Sequence, residues 1–476
     1  MKRTLIIAAA VVLTSVLSIF LFGLAKYDID VHLTESRVWQ HGNSSASPDT
    51  GSDSLPAGLS IDGSFESHLP LIVIDTGSEA LTGTGHGDSN PYVSAVFTVY
   101  DSGSVNSLSD EGERLTGRIK LRGGESDGCK FQYRLKFLDT FGDNVKYPLL
   151  GMTSADEWIL DGCASDKSCL RNYLAYNLAA EIGLNSPDVR YCEVFMKQEV
   201  GYEYMGLYLA VEPVEQGKGR VSFKGKRSLV GAWSYIVKRD GEDSSRPLLE
   251  TWAYENAIDV TIGKEDRCLT LVYPKNAKAT EAAISYVTEN ISSVERILYS
   301  NHVLSEAALR DNIDIDSFVD YYLLNEFTMN RDAGKRSTFM YRDIGGNLTM
   351  GPVWGFNDCA GEGQEFSSVM NTMPWFDRLV MNDEFCRLLE RRWTSLRTGY
   401  LSDERISSEI AETTAFLGNA LLRDNCRRSI CCGETITSAK SASNLESRLL
   451  AHAEYLDDNL LEFSSKESGG ILGVGE

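Results

Sequence analysis

Between Asp314 and Gly361 the chain reads Ile315-Asp316-Ser317-Phe318-Val319-Asp320-Tyr321-Tyr322-Leu323-Leu324-Asn325-Glu326-Phe327, then Asn330-Arg331-Asp332, then Phe339-Met340-Tyr341-Arg342-Asp343, Asn347-Leu348-Thr349 and Gly351-Pro352-Val353-Trp354-Gly355-Phe356-Asn357. Phe318, Val319, Tyr322, Leu323 and Phe327 recur at helical spacing, with Asp320 and Glu326 between them and Asp316 or Ser317 able to cap the start. The residues from Phe339 to Thr349 predict a hairpin. Asn330, Asp332, Asn357 and Asp358 therefore sit on connecting backbone aimed by rigid elements, where metal-binding and proton-accepting groups concentrate. The competing reading is that Asp332 only closes a turn.

Upstream, Leu121-Arg122-Gly123 leads through Ser126 and Lys130 to Tyr133-Arg134-Leu135-Lys136-Phe137. Leu170-Arg171-Asn172 leads to Leu178-Ala179, and Gly206-Leu207-Tyr208-Leu209 leads to Glu212. Taken in order over roughly residues 69–400, these blocks resemble the spore-coat protein H (CotH) kinase family of atypical bacterial protein kinases. The resemblance implies an α+β, two-lobe, protein-kinase-like fold, with a β-rich lobe over about 67–240 and a helical lobe over about 280–462. It also implies ATP and Mg (or Mn) as cofactors, and transfer of a phosphoryl group to Ser or Thr of a protein.

One departure matters. The family usually has an aspartate after the tryptophan, in a Trp-Asp-Phe-Asp or Trp-Asp-Phe-Asn run, and this chain has Gly355. The resemblance gives that aspartate the magnesium that bridges the nucleotide phosphates, which leaves Asn357 and Asp358 as the nearby oxygen donors. The chain then reads as a degenerate kinase, and restoring an aspartate at 355 is expected to raise metal-dependent ATP affinity by about tenfold or more.

Phosphoryl transfer needs cations on the phosphates and a carboxylate near the attacking hydroxyl. Asp332 is the expected base, oriented by Asn330. Lys130, entering a strand from a Gly-rich turn, is the expected phosphate contact, with Arg122 second and Lys238-Arg239-Asp240 a weaker candidate. Glu212 closes an apolar strand and needs a partner, for which Lys130 or Lys136 is the obvious choice. Plain solvated lysines, structural ion pairs and an exposed turn are the rival readings. There is no Gly-x-x-x-x-Gly-Lys-Ser/Thr loop, Gly-x-Ser-x-Gly elbow or His-Glu-x-x-His helix.

Forty-six Lys plus Arg stand against 68 Asp plus Glu, a formal charge of −22 that opposes binding to nucleic acid. Thr4 to Ala25 is apolar, preceded by Lys2-Arg3 and followed by Asp28 and Asp30. Residues 1–26 are thus expected to be a membrane anchor or a cleaved signal, with the body outside the cytoplasmic membrane. Ten cysteines suit an oxidising compartment; Cys163 with Cys169, and Cys426 with Cys431 or Cys432, are the local pairing candidates, free buried thiols the alternative. Residues 41–66 read as a flexible spacer, 67–462 as the folded body and 463–476 as a frayed tail. Strands are expected at 69–74, 93–100, 118–121, 133–137, 189–196, 208–211 and 234–238, and helices near 168–182, 281–299, 375–397, 403–422 and 443–462. A non-catalytic surface or cell-wall interaction module on the same scaffold is the alternative function.

Overall fold

The computed structural model describes residues 39–43, 59–83, 90–122, 130–225, 231–241, 243, 245–258, 268–275, 278–300 and 305–461. In the first half the strands are β1 (Ser60–Ile61), β2 (Glu66–Ser67), β3 (Leu71–Asp75), β4 (Val93–Tyr100), β5 (Asn106–Ser107), β6 (Glu113–Arg122), β7 (Gln132–Phe137), β8 (Glu157–Asp161), β9 (Val189–Lys197) and β10 (Tyr202–Val211). Pairing runs β10-β8-β7-β6-β4-β3-β9, and β9 pairs again with β10, so these strands close a ring. The closing β3–β9 contact is parallel, Leu71 opposite Glu193 through Ile74 opposite Met196, while the other contacts are antiparallel.

Alternation explains the barrel's two faces. Tyr133, Leu135 and Phe137 of β7, Trp158 and Leu160 of β8, and Tyr208 and Ala210 of β10 fill the interior. Ile159, Tyr191, Leu207, Leu209 and Val211 point the other way, into the main helical core.

A second, antiparallel sheet has the order β12-β13-β11-β14-β15, from β11 (Tyr235–Asp240), β12 (Leu248–Leu249), β13 (Cys268–Tyr273), β14 (Thr338–Arg342) and β15 (Thr349–Met350). Its central strand β11 comes from the first half of the chain and β14 from the second, so the two halves share a sheet. Tyr235 and Val237 face the helical core, while Ile236, Val272 and Phe339 line the opposite side.

The helices are α1 (Gln40–Asn43), α2 (Arg171–Glu181), α3 (Trp252–Glu255), α4 (Glu281–Leu298), α5 (Glu306–Arg310), α6 (Ile315–Phe327), α7 (Phe376–Leu379), α8 (Asp383–Arg397), α9 (Asp403–Cys432) and α10 (Ser438–Asn459). The chain is thus a mixed α+β protein. Asp314, rather than Asp316 or Ser317, caps α6, accepting from the Ser317 N–H at 3.4 Å. The helix expected over 375–397 breaks at Asn382, whose side chain caps α8. Helix α9 outruns its expected end by ten residues, bending at Gly418 (φ 44°, ψ −121°) and stopping at Gly433 in the left-handed region. The expected spacer begins with α1 and ends in β1 and the start of β2. The apolar run Thr4 to Ala25, residues 44–58 and residues 463–476 lie outside the described residues. Among the described residues no helix is long and apolar enough to cross a membrane.

The cysteine expectation needs correction. Cys163, Cys169, Cys426 and Cys431 are free thiols, and Cys432 is disulfide-bonded. Cys426 packs into the apolar cluster around Phe195 and Tyr204, whereas Cys431 is exposed, so helical spacing points them to different sides.

Candidate active site

A cleft of about 240 Å³ opens between the barrel wall and the second sheet. Arg122 and Arg134 reach it from the outward positions of β6 and β7, Lys238 from β11, and Arg246 and Lys275 from the loops; Glu157 is the carboxylate in the lining. Trp354 and Phe339 supply aromatic surface. The Arg122 guanidinium lies 5.3 Å from the Trp354 ring centre and donates to the Gln132 side-chain oxygen at 2.8 Å. Lys238 pairs with Asp240 and sits 5.5 Å from the Phe339 ring centre. A flat aromatic beside several cations in a concave site suits an anionic, ring-bearing ligand.

The loop after α6 is outside the cleft lining, but its Asp332 feels the charge of Asp240, the partner of Lys238. Met329 turns the chain at φ 53°, and Asn330 donates to Asn325 at 2.9 Å while its oxygen accepts the Asp332 backbone N–H at 3.3 Å. Asn330 therefore holds the backbone that carries Asp332. Asp332 is solvent-accessible, yet partial desolvation pushes its carboxyl above the ordinary value. Lys335 and Arg336 oppose that shift, and the charges of Asp358 and Asp240 add to it.

Helix α2 grips the segment from Gly355 to Cys359. Gly355 N–H donates to the Tyr176 hydroxyl at 3.2 Å, Phe356 N–H to Asn172 Oδ1 at 2.8 Å, and Arg171 Nε to the Cys359 carbonyl at 2.7 Å. Asn172 Nδ2 donates both to Asn357 Oδ1 at 2.8 Å and to buried Asp161 Oδ2 at 2.7 Å. Asn172 belongs to a motif quoted above, but nothing in the sequence ties Asp161 to it, because the contact spans β8, α2 and the loop after β15.

Three expected contacts are corrected. Lys130 is fully buried: its Nζ lies 2.7 Å from Asp424 Oδ1 of α9, donates to the Leu207 carbonyl at 2.6 Å, and does not line the cleft. Glu212 pairs with Arg220 at 3.1 Å rather than with either lysine. Lys136 pairs with Glu157 at 3.3 Å, on the outward face of its strand where it cannot reach the end of β10. The glycine before Leu207 is explained by the first of these: Gly206 has φ +115°, and a Cβ there would lie 2.4 Å from Asp424 Oδ1. Arg122 and Lys238 line the cleft, whereas Asn330 and Asp332 are not among its lining residues.

Of the two expected metal ligands, Asp358 is exposed and Asn357 half-buried. Gly355 contributes no side chain, Asn357 turns its oxygen inward onto Asn172, and among the described residues no group of three or more His, Cys, Asp or Glu is placed to hold a cation.

The CotH kinase protein family matches residues 119–447, a span that includes the barrel strands from β6 on, the cleft and α9. The chain belongs to that family, and its class is accordingly kinase-like. No curated protein matches it.

Proposed function

We propose that this chain is an extracytoplasmic CotH-type kinase, carried on a membrane by its N-terminal segment, that binds ATP in the cleft and transfers its γ-phosphoryl group to a Ser or Thr hydroxyl of a surface protein. The barrel and the helical region act as the two lobes. The observation that carries the reading is the cationic, tryptophan-lined cleft. Arg122 and Lys238 offset phosphate charge; Asp332, its basicity raised by its surroundings, takes the hydroxyl proton as the new P–O bond forms and ADP leaves.

Label transfer from γ-labelled ATP to protein, compared between wild type and Asp332→Asn, tests the reading. Transfer by wild type and a loss of a hundredfold or more in the variant is the expected result. Equal transfer by both, or none by wild type at millimolar ATP, argues instead for the non-catalytic interaction module, which the side-chain-free Gly355 favours.

A further inference from the structure

The Asp161-Asn172-Asn357 chain fixes which end of the Asn357 amide faces out. The Phe356 N–H is a backbone donor, so the Asn172 atom that meets it at 2.8 Å is oxygen. The other end of that amide, Nδ2, then points at Asp161 and at Asn357. A donor requires an acceptor opposite it, so Asn357 turns its own oxygen inward. At the far end the Cys163 N–H, also a backbone donor, holds Asp161 Oδ1 at 2.9 Å. Every polarity in the chain is therefore set by two backbone N–H groups, one donating to Asp161 and one to Asn172.

Asn357 is half-buried, and among the described residues its Nδ2 has no protein partner. It lies three residues past Trp354 of the cleft wall. Tyr176 binds the Gly355 N–H and its ring centre lies 5.9 Å from that of Trp354 in the cleft wall, so the amide chain adjoins the cleft. Resting on the cleft as a nucleotide site, we infer that Asn357 meets the bound anion as a hydrogen-bond donor, and that this chain binds phosphate oxygens directly, without a bridging divalent cation. Asp161 and Asn172 are positioning residues for that donor.

The polarity logic supplies the test. In Asp161→Asn the single oxygen stays with the Cys163 N–H and two NH2 groups confront each other. The paired exchange Asp161→Asn/Asn172→Asp satisfies every backbone donor again, but it forces Asn357 to turn its NH2 inward and its oxygen out. Full-length wild type, the single variant and the exchange are titrated with ATP and with inorganic tripolyphosphate, each in magnesium and in EDTA, and their melting temperatures are measured. Wild type is expected to bind both probes equally, within about twofold, with and without magnesium. The exchange is expected to melt above the single variant yet bind in EDTA about tenfold more weakly than wild type, the loss of one hydrogen bond to a charged group. A tenfold gain from magnesium in wild type, or an exchange variant that binds like wild type, overturns the inference while leaving the nucleotide site standing. Tripolyphosphate binding without ATP binding sinks the nucleotide reading and keeps the anion contact; binding of neither overturns both.

Discussion

Position 355 combines φ +77° with a Cβ site 3.2 Å from the Ser337 hydroxyl oxygen, so the aspartate that the family carries there is not simply missing. Local backbone geometry has settled on glycine. Gly355→Asp is expected to cost about 1–3 kcal/mol, read as a lowered melting temperature, before any ligand is gained. Asn357→Asp is the better route to a metal site, since a carboxylate still accepts from Asn172; titration calorimetry should show ATP affinity becoming magnesium-dependent in this variant. Asp332 makes the opposite statement about stability. Its folded-state carboxyl is raised, so the folded form holds its proton more tightly than the unfolded one, and stability is lost as pH climbs through that raised value. At neutral pH Asp332→Asn should melt higher than wild type while failing to transfer phosphate; a variant that melts lower contradicts the charge argument. At this scale Arg122 and Lys238, which line the cleft, could be picked out because each sits in or beside a turn or motif. Asp161 and Asp424 were hidden because their partners are distant in the chain.

Helix α9 shows what a single element adds. Beyond its bend at Gly418 it drives Arg423 onto Glu193 (2.7 Å), Asp424 onto Lys130, and Arg428 onto Asp424 (2.7 Å), all fully buried against the barrel. Though burial alone would raise the Asp424 carboxyl, Lys130 and Arg428 hold it down at about 2. Its contribution is present above the ordinary aspartate range and fades as pH falls toward that value. Asp424→Ala should cost about 3–5 kcal/mol, because it leaves two cations buried beside a gap; chemical denaturation measures it. Helix α10 adds a second pH term. His452 is buried with Nε2 3.0 Å from the Glu326 carbonyl oxygen, and desolvation lowers its pKa to about 4. The unfolded chain therefore binds a proton that the folded chain refuses between pH 6.5 and 4, and stability falls on acidification through that window. Relative to His452→Gln, wild type should lose roughly 3 kcal/mol between pH 7.5 and pH 4; parallel pH profiles for the two proteins rule this out. Element types and most boundaries followed from apolar spacing. The run of α9 past residue 422 did not, since its inward face there is charged and reads as a surface.

For the molecule as a whole, the mixed α+β class was legible in the alternation of strand and helix patterns. The closed barrel was not: closure depends on the parallel pairing of β3 with β9, more than a hundred residues apart, which periodicity does not encode. The cleft is equally a product of assembly, drawing its cations from three strands and two loops of an acidic chain. Because the net charge of −22 repels ATP while the cleft attracts it, the two effects oppose each other, and local attraction should dominate once bound. ATP affinity is expected to fall as ionic strength rises from 0.05 to about 0.5 M, with a smaller fall in Arg122→Ala; an affinity indifferent to salt removes the cleft cations from the binding account. The α9 latch also sets a clock. Leu207 N–H waits for Asp424 Oδ1 across 217 residues, and Lys130 waits longer. At ordinary synthesis rates the barrel spends on the order of ten to forty seconds complete in its strands but lacking the carboxylate that neutralises its buried lysine. Until then the buried lysine has no counter-charge, and a chain that stops before residue 424 is expected to stay in that state.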